Sequence, residues 1–157
     1  MNILFVCLGN ICRSPMADAI FQHMVKSAGL GDKIYVDSAG TSRYHIGDTA
    51  HRGTLGVLKK HNIAYNGRAR QFTRTDIKEF DYILAMDSSN LSDIEYHLRD
   101  EDTPEVTLFL TYAYNKGLVD ILDVPDPYYD GRFDAVYDLI TKGSQALLEH
   151  IRNNHNL

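Results

Sequence analysis

Cys7-Leu8-Gly9-Asn10-Ile11-Cys12-Arg13-Ser14 sets two thiols, a guanidinium and a hydroxyl along one short stretch of backbone. These residue types suit the capture and transfer of a phosphoryl group. Gly9 and Asn10 tolerate the left-handed backbone that a cradle of N–H groups around one anion needs. A helix starting at Pro15 would aim its positive end at the same point. That field favours the Cys7 thiolate, which is the nucleophilic form. Arg13 offers a planar fork matched to two phosphoryl oxygens. Ser14 can donate a hydrogen bond to the sulfur as it attacks and again as it departs. The competing reading is an inert free cysteine beside a helix cap, because such thiols usually sit in apolar surroundings.

A loop of this kind needs a strand before it and a helix after it. Ile3-Leu4-Phe5-Val6 is a short apolar run, consistent with a strand buried on both faces. Ser14 is placed to cap a helix with Pro15 at its first position and Asp18 in its first turn. Met16, Ile20, Phe21, Met24, Val25 and Ala28 then recur at helical spacing, and Gly29 supplies a stop. Further strands are expected over 33–39, 81–86 and 106–110, and helices over 54–61, 88–98 and 133–151. The alternation argues for an α/β fold, a parallel sheet with helices on both faces. Ligands bind such sheets beyond the carboxyl ends of the strands, where the loop after Val6 lies. No internal repeat or linker interrupts the chain, so residues 1–157 read as a single domain.

Composition narrows the classes. The 157 residues are 44% apolar and 24% charged, a mix that excludes disorder and a collagen-like chain. No apolar run approaches a membrane span and no signal peptide is expected before the first strand. Residues 1–80 carry 11 Lys and Arg against 6 Asp and Glu, whereas residues 81–157 carry 5 against 15. That asymmetry suits an anion of phosphate size on the basic side, or simply two solvated faces of opposite sign. The basic residues are scattered, which disfavours nucleic acid. The two cysteines form no disulfide framework and point to a reducing cytoplasm. The seven histidines show no zinc-ligand spacing and read as surface or packing residues.

Cys-x5-Arg-Ser in the opening loop, joined to the distant Asp126-Pro127-Tyr128-Tyr129, resembles the low-molecular-weight protein tyrosine phosphatases of bacterial type. The resemblance covers essentially the whole chain. It implies a four-stranded parallel sheet of order 2-1-3-4, flavodoxin-like, with the loop at the switch point. Cys7 would attack phosphorus and form a phosphocysteine, while Arg13 and the backbone from Leu8 to Ser14 hold the phosphoryl oxygens. The residues alone leave Asp123, Asp126 and Asp130 open as the proton donor; the resemblance selects Asp126, which Pro125 and Pro127 restrain. An acid is needed because a tyrosine leaving group has a pKa of ~10.

By the same resemblance Asn10, Ser14 and Ser38 brace the loop, with a local strand-end turn as the alternative for Ser38. Ile11, Tyr44, Tyr128 and Tyr129 wall the cleft, and Tyr129 is also a candidate phosphorylation target. Cys12 is either a reversible disulfide partner of Cys7 or a small core residue. Many relatives carry a histidine bonded to the loop asparagine where this chain has Gly67, which leaves the anchorage of Asn10 open. The resemblance calls for no metal or cofactor. It implies a phosphotyrosine protein substrate, such as a bacterial tyrosine kinase, with no nucleic acid or membrane insertion, and a monomer or weak homodimer.

Three rivals differ in specific residues. Phosphoarginine phosphatases resemble this loop but place threonine where Ile11 stands, and the apolar bulk of isoleucine suits a flat ring. Arsenate reductases of this fold need a further cysteine pair, and no cysteine follows Cys12. A non-catalytic phosphate-binding module is expected to lose the nucleophile or the acid, and Cys7, Arg13 and Asp126 are all present.

Overall fold

The apolar opening run becomes β1 (Asn2–Cys7), and Ile3 through Val6 have no exposed surface. Ile3, Phe5 and Cys7 face one core, and Leu4 and Val6 face another. Side chains of a strand alternate between faces, so burial on both explains a continuous rather than an alternating apolar run. The computed structural model describes residues 1–157. In it β1 pairs in parallel with β2 (Tyr35–Gly40) on one side and β3 (Tyr82–Ala85) on the other. β3 pairs in parallel with β4 (Glu105–Leu108), giving the expected order β2-β1-β3-β4.

Helices cover both faces. α1 (Arg13–Ser27), α2 (Arg52–Lys60), α5 (Thr111–Asn115) and α7 (Phe133–His155) build the larger core. At its centre Phe5 meets Phe21 and Phe109 edge to face, with ring centroids 5.6 and 5.5 Å apart. α3 (Arg74–Glu79) and α4 (Ser88–Glu95) cover the opposite face through Ile77 and Ile94. A single turn, α6 (Pro127–Asp130), stands near the loop. No helix is long and apolar enough to cross a membrane.

Several expectations need correction. α1 begins at Arg13, and the cap position is Cys12, without a side-chain bond. Ser14 is fully buried and directs its hydroxyl to Cys7 and Asn10, so it cannot turn outward to cap. Asp18 accordingly falls in the second turn. The stop at Gly29 holds, with φ 73° and Leu30 N–H bonded to Val25 O at 2.9 Å. β2 starts at Tyr35 rather than 33, because Lys33 is turned back onto Leu30 O at 3.0 Å. α4 ends at Glu95, after which His97 and Leu98 bond three residues back in a tighter turn. α3, α5 and α6 were not expected; four to six residues carry too little periodicity to register.

Candidate active site

The loop after β1 turns its carbonyls outward. Thr41 and Ser42 N–H donate to Cys7 O and Leu8 O, both at 2.9 Å, and His51 N–H donates to Ile11 O at 2.7 Å. The Thr54 hydroxyl donates to Cys12 O at 3.0 Å. Each peptide is planar and trans, so the N–H that follows each of these carbonyls faces the opposite way. The N–H groups of Leu8, Gly9, Cys12 and Arg13 therefore face inward, where they bond no acceptor of the protein. A ring of such donors at a helix N-terminus is an anion cradle.

Asn10 is the only residue of this loop with a left-handed backbone, at φ 56°. Gly9 is not left-handed; a Cβ there would stand 3.1 Å from the His45 ring, which would have to give by a few tenths of an ångström. The Asn10 side chain donates from Nδ2 to Ser14 Oγ at 2.8 Å and to Ser38 Oγ at 3.0 Å. Its Oδ1 accepts the Arg70 backbone N–H at 3.0 Å. That amide answers what holds Asn10 in a chain with Gly67. Arg70 is brought there because Gly40 N–H donates to Arg70 O and Phe72 N–H to Gly40 O. Cys7 Sγ lies 3.0 Å from Ser14 Oγ and accepts the Asn10 N–H at 3.3 Å, so two polar groups of the loop converge on the sulfur.

The Arg13 side chain is buried, and its Nη1 is anchored to Asp87 Oδ2 at 2.6 Å and Val124 O at 2.8 Å. Burial opposes its charge, but Cys7, Asp87 and Asp126 outweigh that and hold the guanidinium above its ordinary pKa. Nε and Nη2 are left as the edge that can grip two phosphoryl oxygens. Asp87 also caps α4, accepting the Asn90 N–H at 2.9 Å. Asp126 caps α6 through Oδ1, which accepts the Tyr128 N–H at 3.0 Å, and its Oδ2 lies 3.6 Å from Arg13 Nη2. Of the three candidate acids, Asp123 bonds Ser88 and Asp130 takes the Arg132 N–H, so Asp126 alone faces the cavity.

That cavity has a volume of about 520 Å³, with Cys7 and Arg13 deep within it and Ile11, Tyr44, Tyr128 and Tyr129 among its walls. Tyr44 is 90% exposed and Tyr129 81%, so these two rings stand at the mouth, while Tyr128 is half-buried deeper in. Cys12 lines the same cavity and packs against Ile11 and Ala69. Burial first, then Cys7 and Asp126, push its thiol up to about 12, so it keeps its proton near neutrality.

The structure thus brings every residue expected at the site to one place, with Ser38 behind the loop. It adds four that the sequence reading missed. Gly40 would carry a Cβ 2.8 Å from Leu8 O, so only glycine lets β2 end against the loop. Asp87 had a readable signal in the Asp87-Ser88-Ser89-Asn90 capping pattern. The Arg70 amide had none. His45 is not a mere surface histidine, because it lines the cavity with Nδ1 3.0 Å from Asp48 Oδ2.

The family model for low molecular weight phosphotyrosine protein phosphatase matches residues 2–157. YfkJ of Bacillus subtilis, a low molecular weight protein-tyrosine-phosphatase, is 42% identical over 100% of this chain and 99% of its own. Its crystal structure superposes with a TM-score of 0.93, covering 99% of this chain and 96% of that one. PtpA of Staphylococcus aureus, of the same description, is 39% identical over 100% of this chain and 97% of its own. A Drosophila arginine phosphatase also superposes, with a TM-score of 0.89 and 35% identity over 97% of this chain and 98% of that one. The chain belongs to the low molecular weight phosphotyrosine protein phosphatase family and is a hydrolase of that family.

Proposed function

We propose that this protein hydrolyses phosphotyrosine in protein substrates through a phosphocysteine on Cys7. The inward N–H groups of the loop and the free edge of Arg13 hold the three non-bridging oxygens. The Cys7 thiolate attacks phosphorus in line, the S–P bond forms, and the P–O bond to the tyrosine breaks. Asp126 gives its proton to the departing phenolate, a transfer typically worth about 10²–10⁴-fold in rate. Water then attacks phosphorus, Asp126 takes its proton, and inorganic phosphate leaves as the S–P bond breaks. Ser14 donates to the sulfur in both steps from 3.0 Å. No metal is called on, because Arg13 and the amides supply the positive field.

The observation that carries this reading is the placement of Asp126 Oδ2 across the cavity from Cys7, 3.6 Å from the phosphate-gripping arginine. Tyr128 and Ile11 then offer apolar surface to an aromatic ring. Cys7, Arg13 and Asp126 line one cavity, and this reading needs no second copy of the chain to complete it, so it extends to action as a monomer or weak homodimer. A thiolate nucleophile that must stay reduced supports residence in the cytoplasm.

The likeness to an arginine phosphatase favours one alternative substrate with the same chemistry. Comparing kcat/KM on a phosphotyrosine and a phosphoarginine peptide, with Cys7→Ser as control, separates them. The reading expects a strong tyrosine preference that disappears in Cys7→Ser; an arginine preference would overturn the substrate assignment.

A further inference from the structure

Behind the phosphate loop the hydrogen bonds continue into the protein. Ser38 Oγ, which accepts from Asn10, donates in turn to Asp18 Oδ2 at 3.1 Å. The Tyr65 hydroxyl donates to the same oxygen at 3.2 Å and lies 3.5 Å from Ser38 Oγ. Gln22 Nε2 donates to Asp18 Oδ1 at 2.6 Å. Asp18 is thus a buried carboxyl whose partners are three neutral donors, an arrangement that costs stability. Burial above all raises its pKa, to about 6, with Asp37 adding to the rise and Gln22, Ser38 and Tyr65 opposing it.

The carboxylate gives the chain of bonds a direction, because it can only accept. Ser38 commits its proton to Asp18 and offers Asn10 only a lone pair, so Asn10 must present Nδ2. The same Nδ2 donates to Ser14 Oγ at 2.8 Å, and the Arg70 N–H fixes Oδ1 on the other side. Ser14, already accepting from Asn10, has its own proton free for the sulfur at 3.0 Å; its other acceptor, Ala39 O, is at 3.4 Å. An acceptor at the far end therefore sets a donor at the nucleophile.

Tyr65 reaches this position only because residue 67 is glycine. A Cβ on Gly67 would lie 2.3 Å from the Tyr65 hydroxyl oxygen and 2.6 Å from its Cζ. The phenol fills the space that a side chain at 67 would take.

We propose that Asp18 and Tyr65 are positioning residues for the nucleophile: the Asp18 carboxylate orients the relay Ser38–Asn10–Ser14–Cys7, and Tyr65, seated over Gly67, holds that carboxylate. The proposal rests on Cys7 being the nucleophile. Besides the relay and the wall tyrosines, the titratable groups sharing the cavity with Cys7 are Arg13 from α1, Cys12 from the loop, Asp126 from the cap of α6 and His45, which pairs with Asp48. Those facing Asp18 are Gln22 from its own helix, Asp37 from β2 and Tyr65, with Arg70 paired to Asp37 at 3.1 Å. Asp18 and Tyr65 also line a second cavity of about 670 Å³, on a different face from the substrate cleft.

The test is alkylation of Cys7 by iodoacetamide across pH, followed by mass spectrometry, in Tyr65→Phe, Asp18→Asn and Ser38→Ala. Half-maximal alkylation is expected to move up by about half a pH unit in Tyr65→Phe and about one unit in Asp18→Asn. The kcat on a phosphotyrosine peptide should fall about threefold and tenfold respectively, with KM nearly unchanged. In a Ser38→Ala background, which cuts the relay, Asp18→Asn should shift the profile no further. Unchanged alkylation profiles with only a lowered Tm would overturn the proposal, as would an undiminished Asp18→Asn shift in the Ser38→Ala background. If Asp18→Asn does not fold, Tyr65→Phe keeps the ring and decides the question by its own alkylation shift. Alkylation reads the thiol directly, so this outcome is distinct from any failure of Cys7 as the catalytic group, which activity in Cys7→Ser would report.

Discussion

Gly40→Ala is the sharpest perturbation of the site that touches no reacting group. The added methyl would sit 2.8 Å from Leu8 O, 3.1 Å from Asn10 N and 3.1 Å from Gly9 C, all backbone atoms. Ordinary contact begins at 3.4 Å, so the loop must retreat by about 0.6 Å at its tightest point. β2 cannot yield instead, because Gly40 is tied to Arg70 and Phe72 and pairs with Cys7 in register. Overpacking of this kind costs about 1–3 kcal/mol in stability. A displacement of about 1 Å at reacting groups costs roughly 10²-fold, so a loss of about 10–100-fold in kcat/KM is expected here. The assay is steady-state turnover of a phosphotyrosine peptide, with inorganic phosphate as competitive inhibitor and urea unfolding as the control. Weaker phosphate inhibition should accompany the loss, because the N–H cradle itself is distorted. A variant within twofold of the parent in both kcat/KM and phosphate inhibition would refute the claim that β2 backs the loop.

Asp126→Asn should lower kcat on phosphotyrosine by about 10²–10³-fold, and by much less on an aryl phosphate whose leaving group needs no proton; equal losses on both would remove Asp126 as the acid. Asp18 makes stability pH-dependent: its folded pKa, raised to about 6 by burial, lies above the unfolded value, so the native state holds the extra proton in between. Stability from this group therefore falls as pH rises from about 4 to 6, by on the order of 2–3 kcal/mol. Urea unfolding at both ends of that window should show the fall in the parent relative to Asp18→Asn; parallel curves would contradict it. Because the Cys12 thiol is pushed up to about 12, limited iodoacetamide near neutral pH should give a single adduct, on Cys7. Labelling of Cys12 at a comparable rate would contradict the burial that holds its proton.

The parts of this molecule that the sequence disclosed are contiguous ones. β1, the loop and α1 follow each other directly, so residue type and spacing along 3–28 already describe a nucleophile, a cradle and a helix. Asp126 needed the flanking prolines and a family likeness, since nothing local separates it from Asp123 or Asp130; only the fold shows which carboxylate faces Arg13. Ser14 misleads because its type and place before Pro15 fit a cap, while burial beside Cys7 assigns its hydroxyl elsewhere. Gly40, the Arg70 amide and Tyr65 were illegible for a shared reason. Each acts through proximity across the sheet edge, and a backbone N–H carries no signal in residue type. The pairing of Gly67 with Tyr65 becomes visible only when the phenol is seen occupying the space above the glycine.

The central claim is that phosphoryl transfer passes through Cys7. Rapid acid quench of the Asp126→Ala variant with an aryl phosphate whose leaving group needs no proton, followed by peptide mapping, tests it most directly, because losing the base slows breakdown of the intermediate while its formation is spared. One phosphoryl group on Cys7 is expected, formed with a burst of the free phenol and absent in Cys7→Ser. A phosphoryl group on any other residue, or turnover that survives Cys7→Ser, would contradict it.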